Sequence, residues 1–513
     1  MKKILLIFSI MVMVAGFTIG ISNYHVIAAE NSKYGGILKL NYPQASRNFG
    51  DPQNIRGGVH TYSDPCLQGL LRPSNETLGE YDPVLATSWE LSPDKSFYTF
   101  HLRKGVKFHD GTDFNAKAAK WNLDRQIAST SPTLNVLKSV EIIDEYTIKC
   151  NLSSWHSLII NEFSGGGQTM YSPTAFETHD AAWVAIHPVG TGPFRLTKVR
   201  PGQICEYEKN PDYWEKGLPY LDGLVYYQIV DYMTASAAML KGEIDAIQQI
   251  DVVTAESMKK KGAIIDKFTA QNSVFVFASN DPNSVWADKR MRMALEYAID
   301  KERLAKTLGR GYIGAIYEII NGIQSVTDPK TVPRTYNPEK AKKLMAEAGY
   351  PNGVKVSIKY THTQAKDYLL AIQSFLAEVG ITANVQFEAH GTFVQHMFSP
   401  FTGNDLLMEF KRGSAAAMLA GVKQELVSTA AYLPALTRPE GLDQLCKQAL
   451  QEEDPAKVIS LIEQMERLTY ENAMYVPVWS NLGMTAYQPY IKDVTWDWGN
   501  NPLPHFERTW LDK

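Results

Sequence analysis

Ser92-Pro93-Asp94-Lys95 has the S-x-x-K spacing by which a lysine activates a serine nucleophile in penicillin-recognising hydrolases. That chemistry also needs an S-D-N and a K-T-G element, and neither occurs, so Ser92 reads as part of a polar turn. No G-x-S-x-G, H-E-x-x-H or phosphate-binding P-loop is present. Gly165-Gly166-Gly167 follows no strand signal and reads as a loop. His390, His396 and His60 carry imidazoles able to ligate a transition metal. Residues 390 and 396 share no helix face, however, so a direct metal site is not expected. Cys66, Cys150, Cys205 and Cys446 are widely scattered without a CxxC, which argues against structural zinc and leaves any disulfide pairing unread. No catalytic constellation and no cofactor are expected.

The chain that must position these residues has 513 residues, about three domains' worth. Its composition is 44% hydrophobic and 21% charged, and its formal charge of −4 comes with no long basic run, so nucleic acid is a poor partner. Lys2 and Lys3 precede an apolar stretch from Ile4 to about Ile21, followed by Ala28 and Ala29. This is the layout of a secretory leader over residues 1–29, with retention as an uncleaved anchor as the alternative. No cysteine follows the apolar core, so lipid attachment there is chemically unavailable and a free periplasmic protein is expected.

Downstream, strand and helix signals alternate. Tyr98, Phe100 and Leu102 alternate with polar residues as a half-buried strand does. Asn115 is placed to cap a helix beginning near Ala116. Residues 142–152 read as a strand pair or one long strand, and 198–202 as a turn between extended segments. Asp288 opens a helix with Met291, Ala294, Leu295, Ala298 and Ile299 in one apolar stripe. Asn337-Pro338 starts another, striped by Ala341, Leu344, Met345 and Ala348 and stopped by Gly349. Residues 354–360, 366–379 and 381–387 then read as strand, helix, strand. The fold class is α/β.

Several segments in order resemble the peptide/nickel-type (family 5) extracellular solute-binding proteins of ABC importers. They are Gly35-Gly36-Ile37-Leu38, Leu67-Gln68-Gly69-Leu70-Leu71, the block YDPVLATSWELSPDKSFYTFHLRKGVKFHDGTDFN from Tyr81 to Asn115, and Gly190-Thr191-Gly192-Pro193-Phe194. Asn210-Pro211-Asp212-Tyr213-Trp214, RMRMALEYAIDKERL at 290–304 and YNPEKAKKLMAEAGYPNG at 336–353 continue the series. Physically these blocks supply turns, caps and close chain crossings, so they identify a scaffold and not its solute.

The resemblance implies a two-lobed periplasmic-binding-protein fold of the large cluster C type, with an extra small domain on the first lobe. Residues 30–75, 191–270 and 481–513 would form lobe I, residues 76–190 the accessory domain, and residues 271–480 lobe III. A monomer would capture a peptide or another small organic solute by hinge closure and deliver it to a permease/ATPase complex in the cytoplasmic membrane. A ligand sensor for a membrane receptor is the alternative, with a nickel-chelate carrier or an exported hydrolase behind it.

Site residues follow from the same resemblance. Peptide-binding relatives carry W-x-A-D-Y-x-D-P after a strand, where an aspartate grips the peptide's amine. Here Phe410 stands at the tryptophan and Gly413 at the aspartate, with Lys411 and Arg412 between them. The acidic anchor is missing and cations stand beside its place, which suits an anionic or carboxylate-bearing solute, unless Lys411 and Arg412 point into solvent. Trp479 has two roles open to it, stacking on the solute or packing in a core. Arg47, in the loop after the first strand, and Asn280, near the lobe crossing, complete the predicted ligand set.

Overall fold

The computed structural model describes residues 33–43, 48–51, 59–73, 80–129, 136–157, 159–164, 169–318, 332–361, 366–399, 401–411, 425–430, 432–496 and 505–513. The strands used below are, in chain order, β1 (Ile37–Asn41), β2 (Ala86–Leu91), β3 (Phe97–Leu102), β4 (Leu137–Asp144), β5 (Thr147–Leu152), β6 (Phe194–Arg200), β7 (Ile204–Lys209), β8 (Gly223–Tyr227), β9 (Ala246–Gln248), β10 (Ile264–Phe277), β11 (Ile313–Ala315), β12 (Val354–Tyr360), β13 (Ile381–Phe387), β14 (Asp405–Lys411) and β15 (Val476–Tyr487). The helices are α1 (Ala116–Ile127), α2 (Tyr232–Leu240), α3 (Val252–Lys260), α4 (Lys289–Ala298), α5 (Lys301–Thr307), α6 (Pro338–Glu347), α7 (Lys366–Glu378), α8 (His390–Phe398), α9 (Leu442–Gln451) and α10 (Pro455–Glu471).

One 11-stranded sheet runs β13-β12-β14-β10-β15-β9-β1-β8-β7-β6, with β11 added on β15. Only β10 and β15 belong to both halves. The first part of β10 pairs with β15 from Ile264↔Tyr487 to Thr269↔Leu482, and β15 there also pairs with β9. After an irregularity between Thr269 and Gln271, β10 continues against Asn481, Ser480 and Trp479 and takes β14 on its other side. The middle of β10, Thr269-Ala270-Gln271-Asn272, lies between Ile264-Ile265 of the first half and the apolar run Val274-Phe275-Val276-Phe277 of the second.

Each half buries both faces of its sheet. Leu38, Leu40, Leu224, Tyr226 and Ala246 pack on one face of the first half, while Ile247, Met484 and Ala486 pack beneath α2 and α3 on the other. In the second half, Phe275, Ile358 and Met408 meet α4 and α7, while Val274, Val276 and Leu407 meet α8, α9 and α10. A separate four-stranded sheet, β2-β3-β5-β4, packs on α1 with its own core. Leu70 and Leu71 join that core, whereas Tyr171, Ala175 and Val184 join the core around β1.

Local signals match the elements. Asn115 Oδ1 accepts from the N–H groups of Lys117 and Ala118 at 3.0 and 3.2 Å, capping α1. The 142–152 signal is a strand pair, β4 antiparallel to β5. Asp288 caps α4, which stops at Ala298 because Asp300 caps α5 immediately afterwards, leaving Ile299 extended but buried. β12-α7-β13 is a parallel βαβ unit. Gly190 and Gly192 lie where two chain segments touch: a Cβ on either would stand 2.2 and 2.5 Å from the carbonyl oxygens of Cys66 and Pro65. The four cysteines are buried free thiols.

Candidate functional site

β8 and β9 flank β1 in parallel, so Asn41, Tyr227 and Gln248 end three strands at one edge. β13 and β14 flank β12 in parallel, so Tyr360, Phe387 and Lys411 end three more. β9 is antiparallel to β15, β15 to β10, and β10 to β14. The two sets of parallel strands therefore run toward each other across the β10–β15 crossing. Open α/β sheets bind ligands outside the carboxyl ends of their strands, and here two such edges face one space.

On the first edge, polar side chains fix the loops. Asn41 is fully buried; its Oδ1 accepts from the Ile229 N–H at 2.8 Å and its Nδ2 donates to the Ile229 carbonyl at 3.1 Å. This locks the segment after β8 onto the end of β1. Gln249, at φ 56°, donates from Nε2 to the Tyr42 hydroxyl at 3.2 Å, and Tyr232 donates to the Gln249 carbonyl at 2.6 Å. Burial pushes the Tyr42 phenol up to about 12, so it stays a neutral hydroxyl. Gln248 is fully buried opposite Thr485, also fully buried; neither amide atom of Gln248 nor the Thr485 hydroxyl has a hydrogen-bond partner among the described residues. Such orphaned polar atoms are costly unless water or a ligand serves them. Asp64 is half-buried as a residue, yet its Oδ2 is enclosed without a partner among the described residues, and burial pushes its carboxyl well above the usual range.

On the second edge, Lys359 Nζ lies 2.8 Å from Asp405 Oδ2 and 3.8 Å from Glu388 Oε1, and His396 Nε2 lies 3.1 Å from Glu388 Oε2. His396 thus faces a carboxylate partner, and among the described residues no cluster of His, Cys, Asp and Glu forms a metal site.

The predicted ligand set is only partly within view. Arg47 and Arg412, like Gly413, lie outside the described residues. Phe410 and Lys411 close β14 opposite Ser273 and Asn272, at the crossing. Asn280 is exposed; its Nδ2 donates to the Pro434 carbonyl at 2.6 Å and its N–H to Ala435 at 3.0 Å, tying the end of β10 to the loop before α9. Trp479 is 1% exposed, with its ring stacked on Tyr368 at 5.1 Å and 26°. In this arrangement it packs in a core. Tyr42, Gln248 and Thr485 are not legible from sequence, because strand pairing is what brings them to one edge, and Asp64 lies in a turn with no sequence signal of burial. The Ser92 hydroxyl donates to Asp94 Oδ1 at 2.7 Å inside a turn, while Lys95 is turned to Trp155 and paired with Glu453.

A two-lobed α/β scaffold with opposed strand ends is the architecture of a solute-binding protein. Residues 80–412 match the model of the bacterial extracellular solute-binding proteins, family 5, and the chain belongs to that family. The glutathione-binding protein GsiB of Shigella dysenteriae is 30% identical over 415 residues, covering 77% of this chain and 80% of that one. The periplasmic binding protein DppA of Helicobacter pylori, solved with the peptide STSA, is 23% identical at a TM-score of 0.79, covering 95% of this chain and 100% of that chain. NikA of Brucella suis, solved with Fe(III)-EDTA, is 23% identical at a TM-score of 0.81, covering 92% of this chain and 99% of that chain. Among the described residues no helix is long and apolar enough to cross a membrane.

Proposed function

We propose that this chain is the capture component of an ABC importer, exported by the leader at 1–29 without lipid attachment, acting as a monomer and without chemistry of its own. It closes its lobes on a peptide or another small carboxylate-bearing solute and presents the closed form to the permease/ATPase complex. The observation that carries this reading is the opposition of two parallel-strand edges across two connecting strands, a geometry suited to hinge closure. The likeness to a glutathione-binding protein favours a short peptide with surplus carboxylate. It agrees with Lys411 and Arg412 standing where peptide binders carry an acidic anchor. Arg47, Asn280, Phe410, Lys411 and Arg412 remain the proposed contacts, and Trp479 joins them only where lobe closure draws its ring off Tyr368, with residues 30–75, 191–270 and 481–513 as lobe I, 76–190 as the accessory domain and 271–480 as lobe III.

The test is a thermal-shift panel of reduced glutathione, zwitterionic di- to pentapeptides and carboxylates without amines. A ligand at 100 times its dissociation constant adds about 2.7 kcal/mol of stability. Glutathione or a carboxylate should raise Tm, and Arg412→Ala should remove that rise. A rise confined to zwitterionic peptides, unchanged in Arg412→Ala, would refute the anionic solute while leaving capture intact.

A further inference from the structure

A solvent-open cavity of about 470 Å³ lies at the lobe crossing, lined by Glu256, Arg310, Gly311, Tyr312 and the exposed Lys259, Lys260 and Lys267. Its walls come from both halves. α3 and the first part of β10 supply Glu256 and the three lysines, while the turn between α5 and β11 supplies Arg310, Gly311 and Tyr312. Tyr312 leaves its own half to pack in the core beneath α2 and α3.

The charge on these walls is unbalanced. Arg310 Nη1 pairs with Glu256 Oε2 at 2.8 Å across the halves, which neutralises one cation. Among the described residues, Lys267 makes a long contact to the Gly311 carbonyl, at 3.4 Å, and lies over the Tyr312 ring, at 4.4 Å. No carboxylate pairs with Lys259, Lys260 or Lys267 among the described residues. Lysines 259 and 260 in the last turn of α3 offset the negative end of its dipole, equivalent to roughly half a charge, which leaves a positive surplus facing the cavity.

The backbone is also held out of its easy range here. Arg310 has φ 48° and Gly311 φ 84°, two consecutive left-handed residues, the first of which carries a side chain. A non-glycine residue in that region costs about 1 kcal/mol or more and persists only where its surroundings hold it. The consequence is a guanidinium carried across the crossing onto α3.

We propose that this cavity is a binding site for a small oxyanion, phosphate-like or a polycarboxylate, held by Lys259, Lys260 and Lys267 of one half beside Arg310 of the other. An anion seated there touches both halves, so its occupancy couples to the lobe setting and, by linkage, to solute affinity. This site goes beyond solute capture and does not depend on which solute the strand edges hold.

The test titrates the full exported chain with inorganic phosphate, and separately with citrate, by calorimetry at fixed ionic strength against sodium chloride. Saturable one-to-one binding of at least one anion is expected, weakened about tenfold or more in Lys259→Gln/Lys267→Gln, in line with the loss of charge-assisted contacts. Lys342→Gln/Lys343→Gln, on the exposed face of α6, should bind as the unaltered chain does. No saturable heat, equal binding in the cavity variant, or equal loss in the α6 variant would overturn the proposal. Solute binding is measured on the same proteins. A cavity variant that has lost the anion but still binds solute supports a separate site; simultaneous loss of both overturns it. Anion binding by a chain that captures no solute would count against the capture reading alone.

Discussion

The Ser157 hydroxyl donates to the Ala449 carbonyl at 2.8 Å, and the Ser157 N–H donates to the Leu450 carbonyl at 2.8 Å. Two of the carbonyls left open at the end of α9 are thereby closed by a residue of the β2–β5 unit. Lys95 pairs with Glu453 just beyond and covers the Trp155 ring at 4.1 Å. The β2–β5 unit thus touches the second half directly, adding a bridge to β10, β15 and the Arg310–Glu256 pair that also join the two bodies.

Loss of this bridge should loosen the lobe arrangement it spans. Ser157→Ala combined with Lys95→Met removes one hydrogen bond and one ion pair, together about 1 kcal/mol. If solute is bound in this arrangement, its affinity should fall about fivefold with little change in global stability. Calorimetry with the solute found in the thermal-shift panel checks this. Unchanged affinity would show that the bridge does not report the solute-holding state.

Asp64 sets a pH dependence. Burial pushes its folded carboxyl well above the ordinary carboxylate range, so folding favours the neutral form. The associated stability is fully present below the unfolded carboxylate pKa of about 4 and is lost as pH rises through the folded value. Asp64→Asn keeps the shape without the charge. It should raise Tm at neutral pH, with the difference from the unaltered chain vanishing toward pH 4. Melting curves across that interval decide it; a difference independent of pH would contradict it.

Glu296 anchors the second half. It is fully buried between Lys301 at 2.9 Å and Arg334 at 2.7 Å, and Arg334 stacks on Tyr470 at 3.8 Å. Removing one partner of a buried ionic group strands the others, so Glu296→Ala should cost about 3–5 kcal/mol in denaturant unfolding. Glu296→Leu with Lys301→Met and Arg334→Met should recover a large part of that loss. A cost below about 1 kcal/mol for Glu296→Ala would mean that the cluster is not desolvated.

Elements with one periodicity and clear caps could be read from sequence. α4 behind Asp288, α6 behind Asn337-Pro338 and the β12-α7-β13 unit show this. Residue pattern alone does not mark β10 and β15 as crossing strands, because each passes between two cores and so carries no single pattern along its length; the lobe bounds at 270/271 and 480/481, which fall within them, rest on the family resemblance. The family motifs resolve into local structure of the expected kind. His109, in the FHDG turn, reaches the Gly192 carbonyl with Nε2 at 3.0 Å, joining two of the motifs. The site was less legible. Gln248 ends a three-residue buried strand and gains meaning only when sheet pairing sets it opposite Thr485. Trp479 illustrates the converse, since aromatic character alone does not distinguish a ring on a solute from one stacked on Tyr368.

Solute capture is tested most directly by native mass spectrometry of the chain purified without added ligand, followed by calorimetry with the molecule released on unfolding. The account predicts one small peptide or carboxylate-bearing molecule per chain, bound saturably and recovered chemically unchanged. A chain that carries no such molecule and binds none of the glutathione, peptide and carboxylate panel, or one that returns its ligand cleaved, would contradict it.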